Sequence, residues 1–229
     1  MTSPAHVPAP TGLPTITFYV DFVSPYAWLA FTQLPQALEG LHYQVRYRPV
    51  LLGALLQAHG NPGPAGVTPK RAWTLRHAAW AGQHLGVGLD MPARHPFPPL
   101  PLLRLAWASA AAHGMPSPSR HTCQRIFEHV WQGGSEPLAT AALHDPLDAA
   151  GLAALTEVVT PTELLTGERV AGHRTDIKAR LRQATDDAIA RGVFGVPMFE
   201  VDGQLFWGLD ALPMLRAHVL AVVEMPEHA

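Results

Sequence analysis

The apolar and polar positions of the first fifty residues follow a strand, a helix and a strand in turn. Residues 15–22 (TITFYVDF) are rich in β-branched and aromatic side chains, which is typical of a strand. Residues 26–38 have helical apolar spacing, with Ser24 placed to cap the helix and Pro25 at its first position. Residues 42–48 (HYQVRYR) alternate between polar and apolar side chains, which predicts a second strand.

These elements form a β-α-β unit, whose two strands are expected to run parallel with a right-handed crossover. Pro35 lies inside the helical pattern and is expected to kink or shorten the helix, because proline has no amide proton for the helical hydrogen bond. The unit ends ahead of a turn-rich loop at 60–66 (GNPGPAG).

The middle of the chain has no convincing strand between residue 70 and about residue 190. Its apolar spacing is helical in separate stretches, divided by a rigid proline-rich connector at 92–101. We expect helices at 70–85, 102–113, 119–131, 145–155, 161–165 and 175–191, the third of them stopped by Gly133 and Gly134.

Strand character returns at the end of the chain. Residues 195–202 (GVPMFEVD) and 204–207 (QLFW) predict two strands joined by a hairpin turn at 202–203. A last helix is expected over 211–223, with Pro213 in its first turn. The order β-α-β, helices, β-β-α resembles a thioredoxin-like domain interrupted by a large all-helical insertion, an α/β fold.

This order predicts three parts of the chain. Residues 1–14, rich in proline, serine and alanine, are expected to be a disordered tail. Residues 15–59 and 192–225 are expected to form the thioredoxin-like domain, and residues 60–191 the helical insertion domain.

Composition and charge narrow the classes of function. The chain has 229 residues, of which 48% are hydrophobic and 15% charged, and a formal net charge of −2. This balance argues against nucleic acid as the main partner, because phosphate contacts need a basic surface. Residues 1–14 lack the basic and apolar segments of a secretory signal, and no apolar run is long enough to span a membrane. A cytoplasmic protein without a membrane partner is expected.

Cysteine and histidine usage narrows the chemistry further. One cysteine, Cys123, excludes an internal disulfide, a CxxC redox pair and a multi-cysteine metal site, and we expect this thiol to be buried and inert. The 13 histidines are scattered, without HxH or HExxH spacing. His77 and His84 are two helical turns apart, but no third ligand accompanies them, so no metal is expected.

The first candidate site is the turn between the first strand and the first helix. Ser24 there can present its hydroxyl at a helix N-terminus, where amide protons and the positive end of the helix dipole stabilise an anion or a thiolate. Ser24 is equally interpreted as a helix cap with no further role, and Asp21 as a turn residue at a strand end.

The second candidate site precedes the third strand. A Gly195-Val196-Pro197 sequence suggests a cis-proline loop that exposes the backbone of Val196 to an extended peptide, and a trans proline at a strand start remains an equal alternative. Asp210 opens the last helix, either as a cap or as the place where a ligand is bound near backbone amides.

Five stretches, in order, resemble one enzyme family. DFVSPYAW, RPVLLGALLQAHGN, PKRAWTLR, AIARGVFGVPMFEVDG and FWGLDAL look like segments of the 2-hydroxychromene-2-carboxylate isomerases, and the resemblance covers residues 15–220. These enzymes are related to kappa-class glutathione transferases and belong to the DsbA-like thioredoxin superfamily. In this family a serine stands where DsbA has its first cysteine, which fits the missing CxxC.

The resemblance implies a role for each matching residue. Ser24 would hydrogen-bond the sulfur of glutathione, or of another small thiol, and favour the thiolate. Val196, before a cis Pro197, would pair its backbone with the cysteinyl unit. The other implied contacts are Trp207, Gly208, Leu209 and Asp210 at the γ-glutamyl end, and Lys70 and Asn61 at the glycyl end or the substrate side.

The reaction that the resemblance implies is a cis–trans isomerisation in aromatic-compound catabolism. The thiolate adds to the conjugated carbon of 2-hydroxychromene-2-carboxylate or its ring-opened enone, the resulting single bond rotates, and elimination gives trans-o-hydroxybenzylidenepyruvate. The thiol acts as a cofactor, the partner is a small aromatic carboxylate, and a homodimer is implied. Ser24 is the implied catalytic residue.

The substrate half of the site departs from the family. Leu56 and His95 stand where the naphthalene-pathway isomerase has a lysine and a tyrosine, and Leu209 stands where relatives often carry asparagine. His77 and Trp80 replace an aspartate and an arginine common in the helix after residue 70. The candidate substrate-pocket residues are Tyr26, Leu56, Trp73 and His95.

Several interpretations stay open on the sequence alone. Trp73 and Trp80 are seven residues apart, which suits either helical core packing or an aromatic wall for the substrate. His77 and His95 either line the pocket or lie at the surface. The function is a glutathione-dependent isomerase, a kappa-like transferase that consumes the thiol, or a non-catalytic thiol- or peptide-binding protein.

Overall fold

The structure, a computed structural model, describes residues 12–92, 95–132 and 177–224. Some of the predicted features lie outside the described residues: most of the tail at 1–14, the helix stop at 133–134 and the short helices at 145–155 and 161–165.

A four-stranded mixed sheet has the strand order β2-β1-β3-β4. Its strands are β1 (Thr15–Val20), β2 (Gln44–Pro49), β3 (Met198–Val201) and β4 (Gln204–Trp207). β1 and β2 are parallel, and β3 is antiparallel to both β1 and β4. The predicted hairpin turn is confirmed, since Asp202 and Gly203 both have positive φ angles, 48° and 78°.

Seven α-helices lie in the described part of the chain: α1 (Pro25–Ala37), α2 (Leu52–Ala58), α3 (Thr68–His84), α4 (Leu100–Ala112), α5 (Arg120–Trp131), α6 (Ile177–Ala190) and α7 (Leu212–Glu224). A short 3₁₀ turn, Pro64–Gly66, precedes α3. The described residues between β2 and β3 contain no strand, as expected. The thioredoxin-like order of strands and helices predicted from the sequence is confirmed.

Helix α1 contains Pro35 and ends only two residues later, so the proline lies in its last turn. A proline leaves the carbonyl four residues earlier without its helical donor. That carbonyl, of Phe31, accepts a hydrogen bond from Arg120 Nη2 at 3.5 Å instead. Helix α2 was not predicted, because its seven residues begin without a side-chain cap.

One hydrophobic cluster joins the sheet to the helices of the middle segment. Phe127 of α5 packs its ring 4.8 Å from Phe22, 5.8 Å from Trp28 and 5.2 Å from Phe31. Leu181 of α6 belongs to the same cluster. The described helices between residues 60 and 191 therefore share the core of the sheet, and their separation as an insertion domain stays a prediction.

Asp21 follows β1 and is fully buried. Its Oδ1 accepts a hydrogen bond from Val23 N at 3.2 Å, and its Oδ2 accepts one from Leu52 N at 2.9 Å. The carboxyl therefore ties the end of β1 to the start of α2. Burial raises the pKa of Asp21 to about 7, although the two amide donors act in the opposite direction.

This raised pKa predicts that Asp21 makes the protein less stable as the pH rises. Between about pH 4 and pH 7, the folded protein keeps a proton on Asp21 that the unfolded chain has released. The free energy of unfolding of the wild type, relative to that of Asp21→Asn, should fall across this window and level off above it. Urea unfolding of both proteins from pH 4 to pH 8 measures this difference, and a constant difference would contradict the prediction.

Candidate functional site

A cavity of about 710 Å³ is lined by three parts of the chain. The first is Tyr26 in the first turn of α1, and the second is one face of α3. The third comprises the residues just before β3 and just after β4. The lining residues are Tyr26, Trp73, His77, Trp80, Ala81, His84, Leu85, Val196, Pro197, Trp207, Gly208, Leu209 and Asp210.

Helix α3 presents an aromatic stripe to this cavity. Trp73, His77, Trp80 and His84 are spaced by four, three and four residues, which places them on one helix face. The ring centroids of Trp73 and His77 are 4.7 Å apart with an interplanar angle of 12°, and those of His77 and Trp80 are 5.6 Å apart. The two indoles are 53% and 52% exposed, so they form an aromatic wall and are not core residues.

Tyr26 and His77 form a hydrogen bond in the cavity, with 2.8 Å between the phenol oxygen and Nδ1. The tautomer of His77 decides which of the two groups donates. Burial raises the pKa of Tyr26, and the negative charge of Asp210 raises it further. The phenol therefore keeps its proton at neutral pH and can act as a hydrogen-bond donor.

The other wall combines backbone groups and a carboxylate with apolar residues, and its members are Val196, Pro197, Trp207, Gly208, Leu209 and Asp210. The Val196-Pro197 peptide bond is cis, and Gly208 N donates a hydrogen bond to Pro197 O at 3.0 Å. Gly208 has φ 100°, and a Cβ there would lie 2.4 Å from Asp210 Oδ1. Only glycine therefore allows the Asp210 carboxylate to lie this close to the backbone. Asp210 precedes the first residue of α7, Leu212, by two positions.

Ser24 is confirmed as the cap of α1. Its Oγ accepts a hydrogen bond from Ala27 N at 3.2 Å, and its own amide donates to Asp21 O at 3.1 Å. Because a hydroxyl has one proton and two lone pairs, this bond still lets Ser24 donate its proton to another acceptor. Ser24 is buried, with 7% of its surface exposed, two residues ahead of the cavity residue Tyr26.

The remaining predicted residues lie outside the cavity wall. Asn61 is exposed, and its Oδ1 accepts a hydrogen bond from Gly63 N at 2.9 Å. Lys70 is exposed in the first turn of α3. Leu56 of α2 directs its side chain at Gly63, where a Cβ would lie 2.7 Å from Leu56 Cδ1.

His95 forms a hydrogen bond with the turn that precedes Ser24. Its Nε2 donates to Val23 O at 2.8 Å, and its ring centroid lies 5.8 Å from that of Trp131. Burial lowers the pKa of His95, which favours the neutral imidazole. Of the four candidate substrate-pocket residues, the structure brings together Tyr26 and Trp73, but not Leu56 and His95, in the cavity wall.

The sequence left Trp80 open between the core and an aromatic wall, left His77 open between the pocket and the surface, and gave His84 no place in the site. His77, Trp80 and His84 line the cavity, and the signal for them was the pair of seven-residue spacings, Trp73 to Trp80 and His77 to His84. That spacing places residues on one face of a helix, but it does not say whether the face meets the core or an open cavity.

Two further features limit the chemistry. Among the described residues, no group of three or more histidine, cysteine, aspartate or glutamate side chains is arranged to hold a metal ion. Cys123 is a free thiol with no exposed surface, and burial raises its pKa above the ordinary value for a thiol.

The helices of the described ranges include none with the length and apolarity to cross a membrane.

Comparisons with known proteins identify the family and the fold of this chain. Residues 15–220 match the model of the DSBA-like thioredoxin domain. The chain is 30% identical over 212 residues to a 2-hydroxychromene-2-carboxylate isomerase from Sphingobium xenophagum, covering 90% of this chain and 98% of that relative. It is 23% identical over 216 residues to glutathione S-transferase kappa 1 from Rattus norvegicus, covering 91% and 90%.

The fold has a solved counterpart as well. A structure of 2-hydroxychromene-2-carboxylate isomerase superimposes with a TM-score of 0.68 at 22% identity, covering 91% of this chain and 96% of that one. The chain thus belongs to the DsbA-like thioredoxin family, in the group that holds the 2-hydroxychromene-2-carboxylate isomerases and the kappa-class glutathione transferases.

Proposed function

We propose that this protein is a glutathione-dependent cis–trans isomerase of 2-hydroxychromene-2-carboxylate or a similar intermediate of aromatic-compound catabolism. The observation that carries the proposal is the cavity itself, which joins the aromatic face of α3 to a second wall of backbone groups, apolar residues and a carboxylate near the N-terminus of α1. These two walls suit two different ligands, a planar aromatic acid and a small peptide-like thiol.

The thiol occupies the wall of backbone and carboxylate. Asp210 attracts the α-ammonium group of the γ-glutamyl unit, and the backbone of Val196 pairs with the cysteinyl unit. The sulfur lies toward Ser24, whose hydroxyl donates a hydrogen bond to it. The positive end of the α1 dipole favours the thiolate over the thiol, which lowers the pKa of the bound sulfur. Lys70 and Asn61, both exposed, are proposed to reach the glycyl carboxylate.

The aromatic acid occupies the α3 side. The half-exposed indoles of Trp73 and Trp80 offer flat apolar surface, on which a planar ring stacks with a favourable offset. The side chains of Trp73 and Trp80 carry no charge, so the binding of an aromatic ring to them depends on apolar contact more than on electrostatic attraction.

The chemistry requires only the bound thiol. The thiolate forms a bond to the conjugated carbon and converts the double bond into a single bond, which rotates. Elimination then restores the double bond in the trans form and releases the thiolate. The protein contributes a lowered thiol pKa and the alignment of the two reactants.

A second candidate function is a kappa-like transferase, which joins the same thiol to an electrophile and releases the conjugate. The relative named glutathione S-transferase kappa 1 favours it, at 23% identity. The two functions differ in whether the thiol is used up.

We therefore predict that 2-hydroxychromene-2-carboxylate is converted to the trans product only when glutathione is present, and that free thiol stays constant during turnover. Absorbance follows the product, and a colorimetric thiol reagent follows the glutathione. Loss of one thiol per product would instead establish the transferase. Thermal stabilisation by glutathione without turnover of either kind would contradict both enzymatic functions and support a thiol-binding protein.

We also predict that Ser24→Ala lowers kcat/KM of the isomerisation by about tenfold or more, since a hydrogen bond to a charged group is lost. Ser24 also caps α1, so its loss costs about 1 kcal/mol of stability. Ser119→Ala is the matched control, because Ser119 caps α5 in the same way through Thr122 N at 3.1 Å and lies outside the cavity. Equal activities of the two variants would contradict the assigned role of Ser24.

A further inference from the structure

The phenol of Tyr26 and the imidazole of His77 are joined by a 2.8 Å hydrogen bond inside the cavity, and the roles proposed above for the thiol and the ring use neither group. We propose that Tyr26 is a catalytic residue that donates a hydrogen bond to the substrate oxygen on which negative charge develops, and that His77 is the positioning residue that orients this donor. The inference rests on the proposed isomerase function and adds a residue-level account of its charged intermediate.

The position of Tyr26 suits this task. It lies two residues after Ser24, in the first turn of the same helix. Tyr26 lines the cavity, whereas Ser24 does not. In the intermediate, the sulfur bonds to one end of a short conjugated unit and the negative charge collects on the oxygen at its other end. Two hydroxyls on one helical turn can therefore serve the two ends of one reacting unit.

The hydrogen bond to His77 determines where the phenol proton points. If Nδ1 carries no proton, Tyr26 donates to it and has no proton left for the substrate. If Nδ1 carries a proton, it donates to the phenol oxygen, and the Tyr26 O–H turns toward the cavity. In this second arrangement the imidazole also polarises the phenol, which strengthens it as a donor.

The surroundings of His77 hold its ring in place. The ring stacks on Trp73 at 4.7 Å and lies 5.6 Å from Trp80, both on α3, while Tyr26 approaches from α1. Across the cavity, Asp210 raises the pKa of Tyr26, as burial does more strongly. The phenol therefore acts as a donor and not as a tyrosinate base.

The step is balanced without any further reactant. The sulfur lone pair forms the S–C bond, and the π electrons of the enone move to the carbonyl oxygen, which becomes an enolate that accepts the Tyr26 hydrogen bond. After rotation, the electrons return to form the C=C bond, and the S–C pair leaves with the sulfur. Tyr26 keeps its proton throughout, because it stabilises the charge and does not neutralise it.

The experiment compares three single variants, a control and one double variant, which separate the hydrogen bond from ring packing. Tyr26→Phe removes only the hydroxyl. His77→Phe keeps an aromatic ring but loses Nδ1, whereas His77→Asn loses the ring but keeps a polar group near the Nδ1 position. Tyr43→Phe is the matched control, because Tyr43 is half-buried, directly precedes β2 and does not line the cavity.

We expect Tyr26→Phe and His77→Phe each to lower kcat by about tenfold or more, with the KM for glutathione within about twofold of the wild type. His77→Asn should recover most of kcat, and the double variant Tyr26→Phe/His77→Phe should be no worse than the poorer single variant. An unchanged kcat in Tyr26→Phe would overturn the proposal for Tyr26. Equal losses in His77→Phe and His77→Asn would overturn the positioning role of His77.

A binding experiment keeps the inference separate from the proposed function. 4-Nitrophenolate and nitrobenzene offer similar rings, but only the first carries an oxyanion, and tryptophan fluorescence reports the binding of both. If the wild type shows no thiol-dependent turnover, the proposed function fails, and the two probes decide the donor role. Weaker binding of 4-nitrophenolate alone in Tyr26→Phe supports that role, and equal affinities for both probes in Tyr26→Phe and the wild type overturn it.

Discussion

The cavity depends on the buried turn of four residues, 21–24, that follows β1. The polar groups of this turn form hydrogen bonds with several segments of the chain. Asp21 O accepts from the amide of Ser24, and the Asp21 carboxyl accepts from the amides of Val23 and Leu52. The carbonyls of the two middle residues accept from side chains of other segments, Phe22 O from Trp131 Nε1 at 3.1 Å and Val23 O from His95 Nε2. Buried backbone without such partners is costly, so this turn has one conformation. That conformation sets where α1 begins, and with it the positions of Ser24 and Tyr26.

The two walls of the cavity come from segments far apart in the sequence and differ in chemistry. The α3 wall is made of aromatic rings, and the wall before β3 and at the end of β4 combines backbone groups and one carboxylate with apolar residues such as Trp207 and Leu209. The antiparallel pairing of β3 with β1 places this second wall beside the first turn of α1. The mixed sheet thus brings the two walls, which we propose hold the thiol and the aromatic acid, to the same helix N-terminus.

Local chemistry explains what the sequence could predict. The β-rich stretch before Ser24, the serine cap, and the turn at Asp202 and Gly203 each depend on residues that are neighbours in the chain. Helix α1 shows the limit of such rules, since its proline is accommodated by Arg120, a residue from α5 that no local pattern reveals. The cis bond suggested by the Gly195-Val196-Pro197 sequence is confirmed as well, and it too depends on residues that are neighbours in the chain.

The substrate side was harder to predict for a related reason. His95 is a substrate-pocket candidate on the sequence, yet its ring donates a hydrogen bond to the Val23 carbonyl of the buried turn and lies outside the cavity wall. Trp73 and Trp80 have core spacing, yet they remain half-exposed, because no other element of the described chain covers their helix face. Whether a helix face is covered depends on how distant segments pack against it, and the spacing of residues along one helix does not reveal that packing.

The burial of Cys123 has a consequence for the chemical durability of this protein. Conjugated enones alkylate accessible thiolates, so an enzyme that handles them with its own cysteine is exposed to inactivation by its substrate. Here the chain has one cysteine, fully buried and with a raised pKa, so it exposes no protein thiolate to alkylation. Under the proposed function the sulfur comes from a diffusible thiol, so an unwanted adduct removes only a replaceable small molecule, and the protein can bind another.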